Sequence, residues 1–229
     1  DIEGDTANDT VVELVNGTLR IHQQTRWFKL FHWFWHEAPA EITLPASFIG
    51  SLRLQTVSGD VSLPAFKGET LRLHTTSGDM KLGDCYAESM EVHTVSGDIN
   101  LSKYQGDRLS IHTTSGDMSF GAVATSKLDI QTVSGDVDQR RGTVWEAGDL
   151  RVKTVSGDIR LALNDHWKAM KFGTVSGDIS LTLPSDSAPF EVRLDSLSGE
   201  LRNKLGNDPR AGRRISANTV AGDLKIREG

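Results

Sequence analysis

The chain has 229 residues, a formal net charge of −6 and one cysteine. That length can bury a sizeable core, and the mild acidity argues against a general nucleic-acid surface. A lone thiol, Cys85, excludes a disulfide framework and a thiolate metal cluster, and no run reaches the roughly 18 apolar residues of a membrane-spanning helix.

In chain order, "GTLRIHQQ" (17–24) reads as a first strand. An aromatic stretch, "RWFKLFHWFWHE" (26–37), follows with Trp27, Phe28, Phe31, Trp33, Phe34 and Trp35, and it holds three of the five tryptophans. "EITLPASF" (41–48) then leads into a repeat. "HTTSGDM" occurs at 74–80 and again at 112–118, with "HTVSGDI" between them at 93–99. The motif is Thr-x-Ser-Gly-Asp. Its glycine falls at Gly59, Gly78, Gly97, Gly116 and Gly135 in steps of 19, then at Gly157, Gly177, Gly199 and Gly222 in steps of 20 to 23. It decays late, to "SLSGE" (196–200) and "TVAGD" (219–223).

Apolar residues sit seven and five before each glycine, as Leu52 and Leu54 do. In most repeats they recur two and four after it, as Val61 and Leu63 do. This period-two alternation on both sides of a turn marks half-buried strands. One strand–turn–strand unit cannot bury its apolar side alone, whereas units stacked in register form a continuous core. The expected fold is all-β: a parallel β-solenoid (β-helix) of about nine or ten rungs of 19–23 residues, with a tight turn at Ser-Gly-Asp in each. A propeller blade normally takes about 40 residues or more, twice this period. A single domain spans 1–229, with N-terminal rungs and a cap-like aromatic stretch over 1–50 and regular repeats over 51–229. The glycines serve a sharp turn, Ser and Asp bond nearby amides, and the threonines from Thr56 to Thr174 point inward at the corner.

"LRLQTVSGDVSL" (52–63), "VHTVSGDINL" (92–101) and "VKTVSGDIRLAL" (152–163), preceded by "EITLP" (41–45), resemble the Toastrack family of bacterial proteins, which also carries an adhesin label. The resemblance runs from about residue 10 to 228. It implies a bacterial protein tied to the cell envelope and to membrane or cell-wall stress responses. Some relatives are linked to tolerance of membrane-active peptides. It supplies no catalytic residues.

Several columns qualify as candidate sites. The corner carboxylates, from Asp60 to Asp223 with Glu200, stack along one edge, where they either cap turns or hold a row of cations. His74, His93 and His112 share an outward column with Gln55, Gln131 and Lys153. That company marks a generic polar surface position, while adjacent imidazoles also suit a metal or a proton switch. An outward Val/Thr column from Val57 to Val175 is either strand chemistry or a partner surface. The aromatic stretch is either a cap over the open end or a membrane or partner contact, aided by Arg26 and Lys29. Long late returns gather Arg140, Arg141, Trp145 and Trp167 on one edge as candidate contacts. No nucleophile elbow, phosphate loop or metal-ligand helix is present, and a serine repeated in eight of the nine corners suits structure better than nucleophilic chemistry.

The expected function is therefore a non-enzymatic binding module of the bacterial envelope, in stress sensing or protection, with no cofactor and no metal. Its partner would be a protein, lipid, cell-wall or peptide ligand and not a nucleic acid. The alternatives are a scaffold assembling end to end as a homo-oligomer through its terminal rungs, or a glycan-active β-helix enzyme.

Overall fold

A computed structural model describes residues 10–15, 18–23, 48–140 and 142–229. All its regular elements are strands. β1 (Thr10–Val15) and β2 (Thr18–Gln23) form an antiparallel hairpin. β2 then pairs in parallel with β3 (Ser51–Ser58). The next four strands are long and bend around the coil: β4 (Val61–Ser77), β5 (Met80–His93), β6 (Ile99–His112) and β7 (Met118–Gln131). Each pairs in parallel with the next at an offset of 19 residues, so Leu71 meets Met90 and Leu109 meets Leu128. The expected parallel β-solenoid is the fold, with nine glycine corners.

Where the step lengthens, the rung splits into separate strands. These are β8 (Val137–Gln139), β9 (Glu146–Lys153), β10 (Ile159–Ala162), β11 (Ala169–Gly173), β12 (Ile179–Leu183), β13 (Glu191–Ser198), β14 (Leu201–Asn203), β15 (Arg214–Ala221) and β16 (Leu224–Glu228).

Inward side chains alternate with outward ones, as a pleated strand requires. One buried column runs Leu52, Leu71, Met90, Leu109, Leu128, Leu150, Met170, Ile215, Val192, each at most 5% exposed. A second, on the return side, runs Phe66, Cys85, Tyr104, Val123, Trp145. Large and small residues alternate there, which fills the coil without voids. Cys85 is fully buried and its thiol is pushed up to about 12, chiefly by loss of solvation. The Tyr104 hydroxyl donates to the carbonyls of Ala87 and Arg108, which satisfies its one polar atom inside the core.

The corner explains the glycines. Gly97 has φ +126°, a region that a side chain resists, and a Cβ there would sit 2.2 Å from the Gly78 carbonyl oxygen. The missing side chain is thus the space into which the rung below inserts its carbonyl. Gly199 departs from the set. Its φ lies outside the left-handed region, and only the close approach of Gly222 O, 2.1 Å from a built Cβ, calls for glycine there.

The column order above contains an inversion that the repeat does not announce. β11 pairs with β9 and β15, and β12 with β10 and β16. Among the described residues, β13 pairs only with β15, and β14 only with β16. The chain therefore overshoots by one rung after Leu183 and returns to place its last repeat in the gap. The repeat with the weakest motif, "SLSGE", becomes the end of the stack. The 204–213 loop covers part of that end. Asn207 Oδ1 accepts the Val192 N–H at 2.8 Å, the Asp208 N–H donates to Phe190 O at 2.9 Å, and Leu205 packs against the core. A side chain thereby occupies an edge donor that would otherwise be free to pair with another strand.

The inverted order predicts which engineered disulfide forms. In Lys171→Cys/Ser216→Cys the two positions are direct partners on neighbouring strands, about 4.8 Å apart. That pair should oxidise readily. Lys171→Cys/Arg193→Cys should not, because Ser216 lies between them and about 9.6 Å exceeds the reach of a disulfide. Non-reducing peptide mapping distinguishes the two, and efficient bonding of the second pair would refute the insertion.

Candidate functional site

At each corner the Asp N–H points along the stack. It donates to the carboxylate of the corner residue one rung earlier in space. Asp79 N–H meets Asp60 Oδ1 at 2.9 Å, and the pattern repeats for Asp98 on Asp79, Asp117 on Asp98, Asp136 on Asp117, Asp158 on Asp136, Asp178 on Asp158 and Asp223 on Asp178. The last bond is Glu200 N–H to Asp223 Oδ1 at 3.0 Å. Each carboxylate thus caps a turn, and among the described residues no group of three or more His, Cys, Asp or Glu side chains is placed to hold a metal ion.

The second carboxylate oxygen is treated differently along the stack. Arg160 bridges Asp136 (3.2 Å), Asp138 (3.1 Å) and Asp158 (2.5 Å). Lys225 bridges Asp178 (2.5 Å) and Asp223 (3.4 Å). The Asp178 carboxyl lies below the usual range because the Asp223 amide and then the Lys225 ammonium favour its charged form. Asp60, Asp79, Asp98 and Asp117 have no such cation among the described residues. The bridging cations went unnoticed in the sequence, yet both stand three residues after a corner glycine.

The threonines point inward, as expected. The hydroxyls of Thr56, Thr75, Thr94, Thr113 and Thr132 donate to the serine carbonyl two residues on, at 2.8–3.2 Å. Just outside them runs the Val/Thr column. Val57, Val95, Val133, Val155, Val175 and Val220 are 45–53% exposed, and Leu197 ends the row at 87%.

The histidines do form a stack. His93 and His112 lie ring on ring, with centroids 4.8 Å apart and planes within 6°, and His74 is tilted at 6.1 Å. His93 Nε2 is 2.8 Å from Glu91 Oε1, and Arg72 reaches the other oxygen at 3.2 Å. These bonds, His93 first, hold the Glu91 carboxyl below its ordinary value. Burial, and then the neighbouring His93, lower the His112 pKa, while Asp129 and Glu91 oppose them.

On the return edge the candidates separate. Arg140 is exposed, and Arg141 lies outside the described residues. Trp145 and Trp167 are not surface contacts, because they are 0% and 2% exposed. The Trp145 indole donates to Gly121 O at 2.9 Å and meets Phe120 edge-on. Trp167 packs on Phe190 and under the Arg213 guanidinium, 3.8 Å from its ring centre, while Arg213 also binds Asp165 at 2.6 Å. The longer returns carry aromatic plugs that fill a widened coil. Another group escaped the sequence reading: Glu191, 5% exposed, held by Arg193 and Arg214 at 2.6 Å each. Trp27, Phe28, Phe31, Trp33, Phe34 and Trp35 lie outside the described residues.

The family model Toastrack DUF4097 matches residues 1–227. The chain belongs to the Toastrack family. No curated protein and no solved structure matches it. In this Toastrack chain the corner motif is a stacking device.

Two measurements probe these columns. Asp98→Ala strands the Asp117 amide and should lower stability by about 1 kcal/mol in urea unfolding. Asp98→Asn keeps an acceptor oxygen and should recover most of that loss; equal losses would deny the ladder its role. For His112 the folded pKa lies below the unfolded value near 6.5, so the unfolded chain takes up the proton more readily. Its stability contribution is present above that pH and is lost as pH falls towards the folded pKa. His112→Gln, the residue found at the next rung of this column, should make stability less sensitive to acid between about pH 7 and 5. An unchanged pH slope would count against a destabilising imidazole.

Proposed function

We propose that this Toastrack protein is a non-enzymatic binding module of the bacterial cell envelope, serving stress sensing or protection there. The observation that carries the reading is the exposed row from Val57 to Leu197. It is a row of half-exposed valines beside the corner, interrupted by Thr76 and Thr114 and ended by Leu197. A largely apolar row of this kind suits a partner contact. A rigid row spaced at about 4.8 Å suits an extended or flat partner such as a peptide, a membrane protein or a wall polymer.

The corner residues are committed to the turn. Corner aspartates accept amides from rung to rung, and the carbonyls of the corner serines from Ser58 to Ser134 accept threonine hydroxyls. That supports binding over catalysis. End-to-end assembly through the C-terminal rung is disfavoured by Leu205 and Asn207, which cover part of that end.

The test uses the buried Cys85, which will not react, as a silent background. Val95→Cys and Val133→Cys, labelled with a polarity-sensitive dye, report the stripe. Lys67→Cys, exposed on the return side, reports the opposite edge. On adding anionic vesicles, isolated cell-wall sacculi or solubilised membrane proteins, one of them should shift the dye at 95 and 133 and leave 67 unchanged. No shift with any of the three, or equal shifts at all positions, would remove the stripe as a contact.

A further inference from the structure

The C-terminal end of the stack carries four cations, on β16, on β14 and on the bend that follows β14. Arg202 is the direct partner of Lys225 across β14 and β16. Arg227 stands two residues further along β16, and Lys204 just past the end of β14, where its N–H donates to Ile226 O at 3.2 Å. The alternation places all four outward, around the buried Ile226. Together these five residues line an open pocket of about 330 Å³. The inserted order of the last rungs sets Ser180 beside Lys225 and Thr182 beside Arg227, so two half-buried hydroxyls border the same patch.

Like charges directly across a strand pair destabilise a sheet. One pair is relieved: Glu200 lies 2.8 Å from Arg202, and Asp178 and Asp223 hold Lys225. The other pair, Lys204 and Arg227, is exposed and has no carboxylate partner among the described residues. A chain of net charge −6 thus keeps two adjacent unneutralised cations at the mouth of a pocket. Folding gains nothing from that arrangement, whereas a bound anion would.

We propose that this pocket binds phosphate groups. Neighbouring strands set the cations about 4.8 Å apart, and alternate residues set them about 6.8 Å apart along a strand. That spacing suits a ligand presenting two phosphoryl groups, or one with several charged oxygens, held by charge-assisted bonds from Lys204 and Arg227. The flanking hydroxyls of Ser180 and Thr182 supply neutral donors. The shared chemistry is the phosphate group, and its source is either an anionic lipid headgroup or a soluble polyphosphate. The site lies apart from the apolar stripe, and either can fail without the other.

The experiment titrates the whole chain, at low salt, with inorganic tripolyphosphate by calorimetry. In parallel it uses vesicles of phosphatidylglycerol with phosphatidylcholine, and of phosphatidylcholine alone, by co-sedimentation. Lys204→Gln/Arg227→Gln is compared with Lys81→Gln/Lys127→Gln, which removes the same charge from exposed positions elsewhere. Lys204→Arg/Arg227→Lys keeps the charge in place. Thermal melts confirm that each variant is folded. Binding of either probe should fall about tenfold or more in the first variant and stay near the parent in the other two. Tripolyphosphate binding alone identifies a soluble source, and vesicle binding that needs phosphatidylglycerol identifies a headgroup. A parent that binds neither probe, or equal losses in the two glutamine variants, would overturn the proposal.

Discussion

The structure turns on one backbone amide per rung. At the Ser-Gly-Asp corner the chain reverses too sharply for the aspartate N–H to stay in a strand ladder, and a buried or half-buried donor without a partner is costly. The carboxylate one rung earlier takes it at 2.8–2.9 Å. Two consequences follow. The bond holds only if successive corners sit one strand spacing apart, so it sets the register of every inward column at once. It also draws the glycine carbonyl of one rung to within 2.3 Å of where the next glycine's Cβ would lie, which excludes a side chain. Aspartate and glycine are thus two halves of one requirement.

The same requirement accounts for the lapses in the motif. Glu200 stands in the rung at the end of the stack, where no further amide needs an acceptor. Asp223 belongs to the last repeat in the chain, yet it stays an aspartate because its rung is internal and the Glu200 amide bonds to it. Read as chain order, the sequence loses its motif and regains it. Read as stacking order, the corner aspartate is kept until the last step.

Much of this was legible in advance, and the limits are physical. The constant step of 19 and the period-two flanks determine a parallel coil, because only stacking in register buries both sides of the turn. Which of two neighbouring rungs lies outermost is invisible to periodicity, since both present the same inward residues; long connections and the Asp-to-Glu change decide it. The antiparallel pairing of β1 with β2 was missed because it lies before the repeat begins. Trp145 looked like a loop residue because it follows an insertion. Counted back from the next corner glycine it sits twelve residues before Gly157, as Val123, Tyr104, Cys85 and Phe66 sit before theirs. That alignment places it in the core column. Insertions in this coil are absorbed just after a corner, and register is recovered before the next one.

The division of labour along each rung confines where recognition can occur. Inward residues are committed to the core, and the corner threonine, serine, glycine and aspartate to the turn. Only the outward columns and the loops are free to vary in chemistry, and they vary along the axis. Corner carboxylates from Asp60 to Asp117 keep one oxygen for solvent, whereas from Asp136 onward Arg160 and Lys225 neutralise it. The cation pair Lys204 and Arg227 then lies at the far end. Among the described residues, unneutralised corner carboxylates therefore stand in the early rungs and an unneutralised cation pair at the C-terminal end of the stack. Fields of this kind orient a body as it approaches a charged surface, so a fold whose rungs are nearly identical still presents its two ends differently.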